Sequence, residues 1–166
     1  IVLMQKLREH GVAAQDVSHI ELSAPPLIGR LVGRPWRSDM SANYARLCFQ
    51  YSGAVAYLSG SVGLGVVGGS RLRDADVAAR GARMTVVEDG GSDPAAFTAQ
   101  VAVLQASGGR RFEARIDALF GSPLDPLTPQ QNVEKFRACV AARFDGAQGE
   151  AIADSIIEKV EALDGV

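Results

Sequence analysis

Apolar positions recur along the chain with two periods, and the periods mark out its elements. The longest helical pattern runs through Asp39–Gly60, DMSANYARLCFQYSGAVAYLSG, where Tyr44, Leu47, Cys48, Tyr51, Val55 and Leu58 fall on one face. Asp39 or Ser41 is placed to cap its start and Gly60 to end it, so the pattern predicts one central helix on which a sheet can pack. Ile1–His10 reads as the latter part of an amphipathic helix, with Val2, Leu3 and Leu7 apolar and His10-Gly11 closing it. Val17–Leu22 alternates and predicts a strand. Ala24-Pro25-Pro26 stops that strand, because proline cannot donate to a sheet ladder. Leu27–Met40 follows as an irregular segment.

Further along, Ser59–Ser70 is glycine-rich and reads as a loop, and Asp74–Arg80 as one or two helical turns. Met84–Glu88 predicts a second strand, followed by turn residues at Asp89–Pro94. Thr98–Gln105 and Arg110–Asp117 predict a hairpin around Ser107-Gly108-Gly109. Val101 and Val103 would share a face in one arm, and Phe112, Ala114 and Ile116 in the other, with Arg111, Glu113, Arg115 and Asp117 on the solvated side. After two prolines in Gly121–Leu127, Thr128-Pro129-Gln130-Gln131 combines a cap, a first-turn proline and a glutamine three residues after the cap. Val133, Phe136, Val140 and Phe144 would be the buried face of that helix. Ile152, Ile156, Val160 and Leu163 would bury the face of a last helix, Gln148–Leu163. The sum is an α+β fold: a small, mostly antiparallel sheet packed against helices in a single domain.

Composition narrows the class of function. At 166 residues and 47% hydrophobic, the chain can enclose one core. A net charge of −2 gives no basic field for nucleic acid and no polybasic membrane patch. No apolar run reaches the roughly 20 residues that span a bilayer. Cys48 and Cys139 have no metal-binding spacing and read as core thiols, which suits a reducing cytoplasm. Starting inside a helix, at Ile1 rather than an initiator methionine, the chain reads as part of something longer.

Candidate chemistry is sparse. Gly63-Leu64-Gly65-Val66-Val67-Gly68 matches a dinucleotide fingerprint in letters, but a helix precedes it where a strand is required, so it reads as a loop. His10 and His19 have no partner at ligand or triad spacing. The most suggestive group is Arg30, Arg34, Arg37 and Arg46, flanking the start of the central helix. Guanidinium forks match carboxylates bidentately, and a helix N-terminus favours anions, so these residues could hold a di- or tricarboxylate. The alternative is a solvated loop whose arginine stems cover apolar surface near Trp36.

An ordered series of stretches resembles the C-terminal part of the MmgE/PrpD family, which includes 2-methylcitrate dehydratase. The series comprises Ile20-Glu21-Leu22 before a proline, Gly33-Arg34-Pro35, Ala45-Arg46-Leu47-Cys48-Phe49-Gln50-Tyr51 leading into Ala54-Val55-Ala56, and Gly60-Ser61-Val62-Gly63-Leu64. It continues through the strand pair ending at Asp117, Gly121 to Pro126-Leu127-Thr128, and Glu134-Lys135-Phe136-Arg137. Where relatives continue Gly-Leu with an acidic-aromatic step, this chain has Gly65-Val66-Val67-Gly68-Gly69.

The resemblance implies a smaller α+β lid domain that closes on a large all-helical domain, with the active site in the cleft between them. It implies lyase or isomerase chemistry on di- or tricarboxylates, by proton removal beside a carboxylate, as in propionate catabolism. It also implies no metal or organic cofactor, and homodimers. The proton-transfer residues of the family lie on the helical domain, which these residues lack, so no catalytic residue is expected here and the portion alone would be inactive. Arg30, Arg34 and Arg46 would then face the substrate, with Tyr44 and Gln50 beside them. The competing expectation is a stand-alone α+β binding or dimerisation module without catalysis.

Overall fold

In the computed structural model, which describes residues 1–64, 69–91 and 93–163, four strands form one mixed sheet in the order β2-β1-β3-β4. Strand β1 (Val17–Ala24) lies parallel to β2 (Met84–Glu88) and antiparallel to β3 (Gln100–Ala106), and β3 pairs antiparallel with β4 (Arg111–Ile116). The β3–β4 hairpin stands where the sequence places it.

Strand β1 buries Val17, Ile20, Leu22 and Ala24, a set that no uninterrupted alternation can produce. Its register against β3 shifts between Val17 and His19. Ser18 is the extra residue of a bulge, which restores Val17 to the inner face alongside Ile20. In β3 the enclosed residues are Ala102, Leu104 and Ala106, while Val101 and Val103 lie half-exposed on the outer face. Across the hairpin Leu104 stands opposite Phe112 and Ala102 opposite Ala114, so the inner face of β4 carries the expected Phe112, Ala114 and Ile116.

Helix α1 (Val2–Arg8) packs Leu3, Met4 and Leu7 onto β3 and β4. Helix α2 (Pro26–Val32) replaces part of the irregular segment expected at Leu27–Met40. Pro26 sits in its first turn, where a missing N–H costs nothing, so the same Pro-Pro pair ends one element and opens the next.

The predicted central helix is two helices, α3 (Ala42–Arg46) and α4 (Phe49–Ser59). They part at Cys48, whose backbone is extended and bridges Gly33, a tertiary pairing that local sequence does not announce. Ser41 caps α3 by accepting from the Tyr44 N–H at 3.3 Å. Gly60, at φ 78°, closes α4. Rather than one apolar face, α4 buries residues on nearly every side, among them Phe49, Tyr51, Gly53, Ala54, Val55, Ala56 and Tyr57. Its small residues let its neighbours approach: α1, α3, β2 and α5 (Ala75–Gly81) all pack on it. Asp74 caps α5 by accepting from the N–H groups of Asp76 and Val77.

The chain divides into two compact units, Ile1–Val62 with Val66–Leu119, and Gly63–Gly65 with Phe120–Val166. The second holds a helical hairpin, α6 (Pro129–Ala141) and α7 (Gly146–Leu163). The Thr128 hydroxyl accepts from the Gln131 N–H at 3.2 Å, and the Gln131 side chain accepts from the Thr128 N–H at 2.9 Å, completing the box read from sequence. The buried residues of α7 are Gly149 and Ala153, not the isoleucine–valine stripe, and Ile156, Val160 and Leu163 are exposed. A side chain at position 149 would collide with the Phe144 carbonyl, so the small residues mark the contact within the hairpin. Cys139 is exposed, which corrects its reading as a core thiol; Cys48 is fully buried. Among the described residues no helix is long and apolar enough to cross a membrane.

Candidate functional site

One amide is central to how the arginine-bearing loop between α2 and α3 is anchored. The Gln50 side chain accepts from the Trp36 N–H at 2.6 Å and donates to the Met84 carbonyl at 3.2 Å, tying loop, helix α4 and strand β2 together. Gln50 lies at the start of α4 because the chain bends at Cys48, whose thiol donates to the Arg34 carbonyl at 3.2 Å. Burial pushes that thiol above its ordinary pKa, so it stays protonated and keeps this donor. Trp36 leans on Tyr51, with ring centroids 5.9 Å apart, and fills the space over Gly81. A Cβ at Gly81 would stand 2.6 Å from the Gln50 carbonyl and 3.0 Å from the Trp36 ring, so only glycine permits this approach.

On that base the loop presents its cations around Tyr44. The Tyr44 hydroxyl donates to the Pro35 carbonyl at 2.9 Å, and the Arg34 and Arg37 guanidiniums lie 5.5 and 5.6 Å from its ring centroid. Arg37 is held bidentately by Asp39, with both hydrogen bonds at 3.1 Å. That hydrogen bonding first, and the charge second, lowers the Asp39 carboxyl below its ordinary value and raises Arg37. Arg30 donates to the Pro94 carbonyl at 3.3 Å, and Arg46 to the Asn43 side chain at 3.2 Å. Among the described residues the Arg34 guanidinium donates to no protein acceptor; the Tyr44 ring alone steadies it.

The sequence's candidates thus separate. Arg34, Tyr44 and Gln50 share one corner, where a cavity of about 230 Å³ opens between Gly33, Arg34 and Pro35 on one side and Phe49, Gln50 and Thr85 on the other. Arg30 reaches away to Pro94, and Arg46 stays with its own helical turn. Sequence reasoning missed Asp39 as the partner that occupies Arg37, and Trp36 as the wedge that seats the loop. The Arg-x-Asp spacing was the available signal for the first.

A larger cleft of about 710 Å³ lies within the α6–α7 hairpin, but its Arg137 is already bonded to Asp154 at 2.6 Å. It offers no free cation comparable to Arg34. Gly65–Gly68 of the glycine motif lie outside the described residues. No group of three or more potential metal-binding side chains converges among the described residues.

An α+β domain with a cationic corner at the mouth of a small cavity is the class that fold and site define. The sequence matches the family model for the MmgE/PrpD C-terminal domain over residues 2–159, spanning both compact units. The chain belongs to the MmgE/PrpD family, as a C-terminal domain of that family. No curated protein matches the chain in direct comparison.

Proposed function

We propose that this chain is the substrate-closing domain of an MmgE/PrpD-type lyase or isomerase acting on a di- or tricarboxylate in the cytoplasm. Arg34 presents its guanidinium to one substrate carboxylate. The observation that carries this reading is the state of the four arginines: three donate to protein acceptors, whereas Arg34 keeps its fork free and pre-positioned on Tyr44. Pre-positioning lowers the ordering cost of binding, and a bidentate fork selects planar carboxylates. Tyr44 and Gln50 position Arg34; Arg30 and Arg46 would add only long-range attraction. Proton transfer belongs to groups on a partnering helical domain, so the 166-residue portion alone is inert.

The test is dehydratase kinetics on 2-methylcitrate with protein carrying both domains. Arg34→Ala should raise KM at least about tenfold, the weight of one charge-assisted bidentate contact. Arg34→Lys should recover part of the loss and Arg46→Ala should change little. An unchanged KM in Arg34→Ala would remove Arg34 from the site. Turnover by the isolated 166-residue portion would end the claim of a shared active site.

A further inference from the structure

Strand β2 ends the sheet, and its free edge forms one wall of the cavity at Arg34. The Ile20 N–H donates to the Arg83 carbonyl at 2.8 Å, and the Asp89 N–H donates to the Ala24 carbonyl at 3.0 Å. Odd-numbered residues of this stretch therefore turn their backbone groups toward β1. Met84, Val86 and Glu88 turn theirs to the open side, where the Gln50 amide already takes the Met84 carbonyl at 3.2 Å. Among the described residues nothing bonds the N–H or the carbonyl of Val86. Gly33 on the facing wall leaves both uncovered; a Cβ there would stand 3.9 Å from that of Val86. The other polar side chains of the cavity are engaged, Gln50 with Trp36 and Met84, and Thr85 with the His19 ring at 2.9 Å.

We propose that Val86 determines specificity at this site, its N–H and carbonyl together binding a substrate hydroxyl close to the carboxylate that Arg34 holds. The inference rests on the carboxylate reading above and adds the second group that the cavity recognises. In an extended strand the N–H and C=O of one residue point the same way. One hydroxyl oxygen seated between them accepts from the first and donates to the second. Other groups fit worse. A second carboxylate would accept from the N–H but set its charge against the carbonyl oxygen. An ammonium would donate to the carbonyl and leave the N–H unpaired, and an alkene or methylene carbon would pair with neither. A donor or acceptor covered without a partner keeps its desolvation cost, and that cost discriminates among the acids.

Size and stiffness agree with this assignment. At about 230 Å³ the cavity falls below the roughly 300–1,000 Å³ of sites for drug-sized ligands, so it takes a compact acid with carboxylate and hydroxyl a few bonds apart. The wall is held on both flanks of Val86. Ile20 to Ala24 of β1 pair with Met84 to Glu88, and the Met84 side chain is wholly enclosed. The subsite therefore favours a hydroxylated acid over its unsaturated or deoxy counterpart.

Calorimetric titration of protein carrying both domains tests it, with two acids that differ by one hydroxyl, citrate and tricarballylate. Wild type should bind citrate at least about tenfold more tightly, the weight of one well-formed polar contact. Val86→Pro removes an N–H that the ladder to β1 does not use, so the sheet stays folded by circular dichroism. The preference for citrate should be lost while the affinity for tricarballylate is unchanged. Amide exchange of wild type reads the same contact without a substitution: citrate should slow the Val86 N–H, and tricarballylate should not. Arg34→Ala should weaken both acids alike, which separates the two readings. Equal affinity of wild type for the two acids would overturn the subsite and leave Arg34 in place. So would a preference that survives Val86→Pro, or a Val86 N–H that citrate does not slow. Failure of both acids to bind would remove the carboxylate reading and this one with it.

Discussion

The sheet unit and the helical hairpin are held together by different means. In the first, Ile20, Tyr51, Met84 and Leu104 are wholly enclosed, contributed by segments far apart in the chain. In the hairpin, Val140, Gly149 and Ala153 are the buried residues of α6 and α7, while Phe144, Ile156, Val160 and Leu163 remain exposed. Much of its support is local, the Thr128–Gln131 box and the Gln130–Glu134 bond at 3.0 Å, one turn apart, and the Arg137–Asp154 pair that joins its helices is exposed. Long-range burial makes a unit cooperative, whereas local bonds let a helix open by turns. The cationic corner of Arg34 and Tyr44 sits on the cooperative unit, where its geometry can be held.

The comparison breaks most readily at Leu104. Leu104→Ala should cost about 2–5 kcal/mol and lower protection across all four strands. Phe136→Ala, on the half-buried face of α6, should cost about 1 kcal/mol and leave the strands untouched. Denaturant titration with residue-resolved amide exchange decides; equal costs at the two sites would erase the distinction.

Alkali should also separate the units. Burial raises the Cys48 thiol above its ordinary 9.0 and the Tyr51 and Tyr57 hydroxyls above 10.0. Each group holds its proton more firmly folded than unfolded. The stability linked to it is therefore complete below those ordinary values and lost as pH climbs through the raised ones. All three groups lie in the sheet unit. Tyrosinate absorbance and Trp36 fluorescence should change together above pH 10, and tyrosines that ionise with fluorescence unchanged would refute the linkage.

The smallest effect belongs to Thr128→Ala, at about 1 kcal/mol, confined to the first turn of α6. Exchange at Gln131 should quicken with no change in β1 or β3, and a global loss of protection would mean that the box serves more than its helix.

Much of the architecture was legible from local signals. The capping box, the hairpin turn and the apolar side of α1 were all encoded within a few neighbouring residues. What escaped the sequence depends on distant partners. The break at Cys48 comes from its bridge to Gly33, since Arg46-Leu47-Cys48-Phe49 contains no helix breaker. The inner face of β3 went to Ala102 and Leu104 rather than the bulkier Val101 and Val103, because facing strands set the register. Helix α2 was hidden by reading Pro25-Pro26 only as a stop. At the site, residue type and loop location suggested the arginines, but which guanidinium stays free is set by Pro94, Asp39 and Asn43, and spacing alone does not reveal that.

The bulge at Ser18 bears on how the gene can change length. Because Val17 and His19 face consecutive residues of β3, Ser18 stands outside the reading frame of the sheet. A codon lost there leaves Val17, Ile20, Leu22 and Ala24 all pointing inward. A codon lost between Ile20 and Ala24 turns the rest of the strand inside out. This strand therefore carries one spare letter, and the place where it can be deleted is fixed at the bulge.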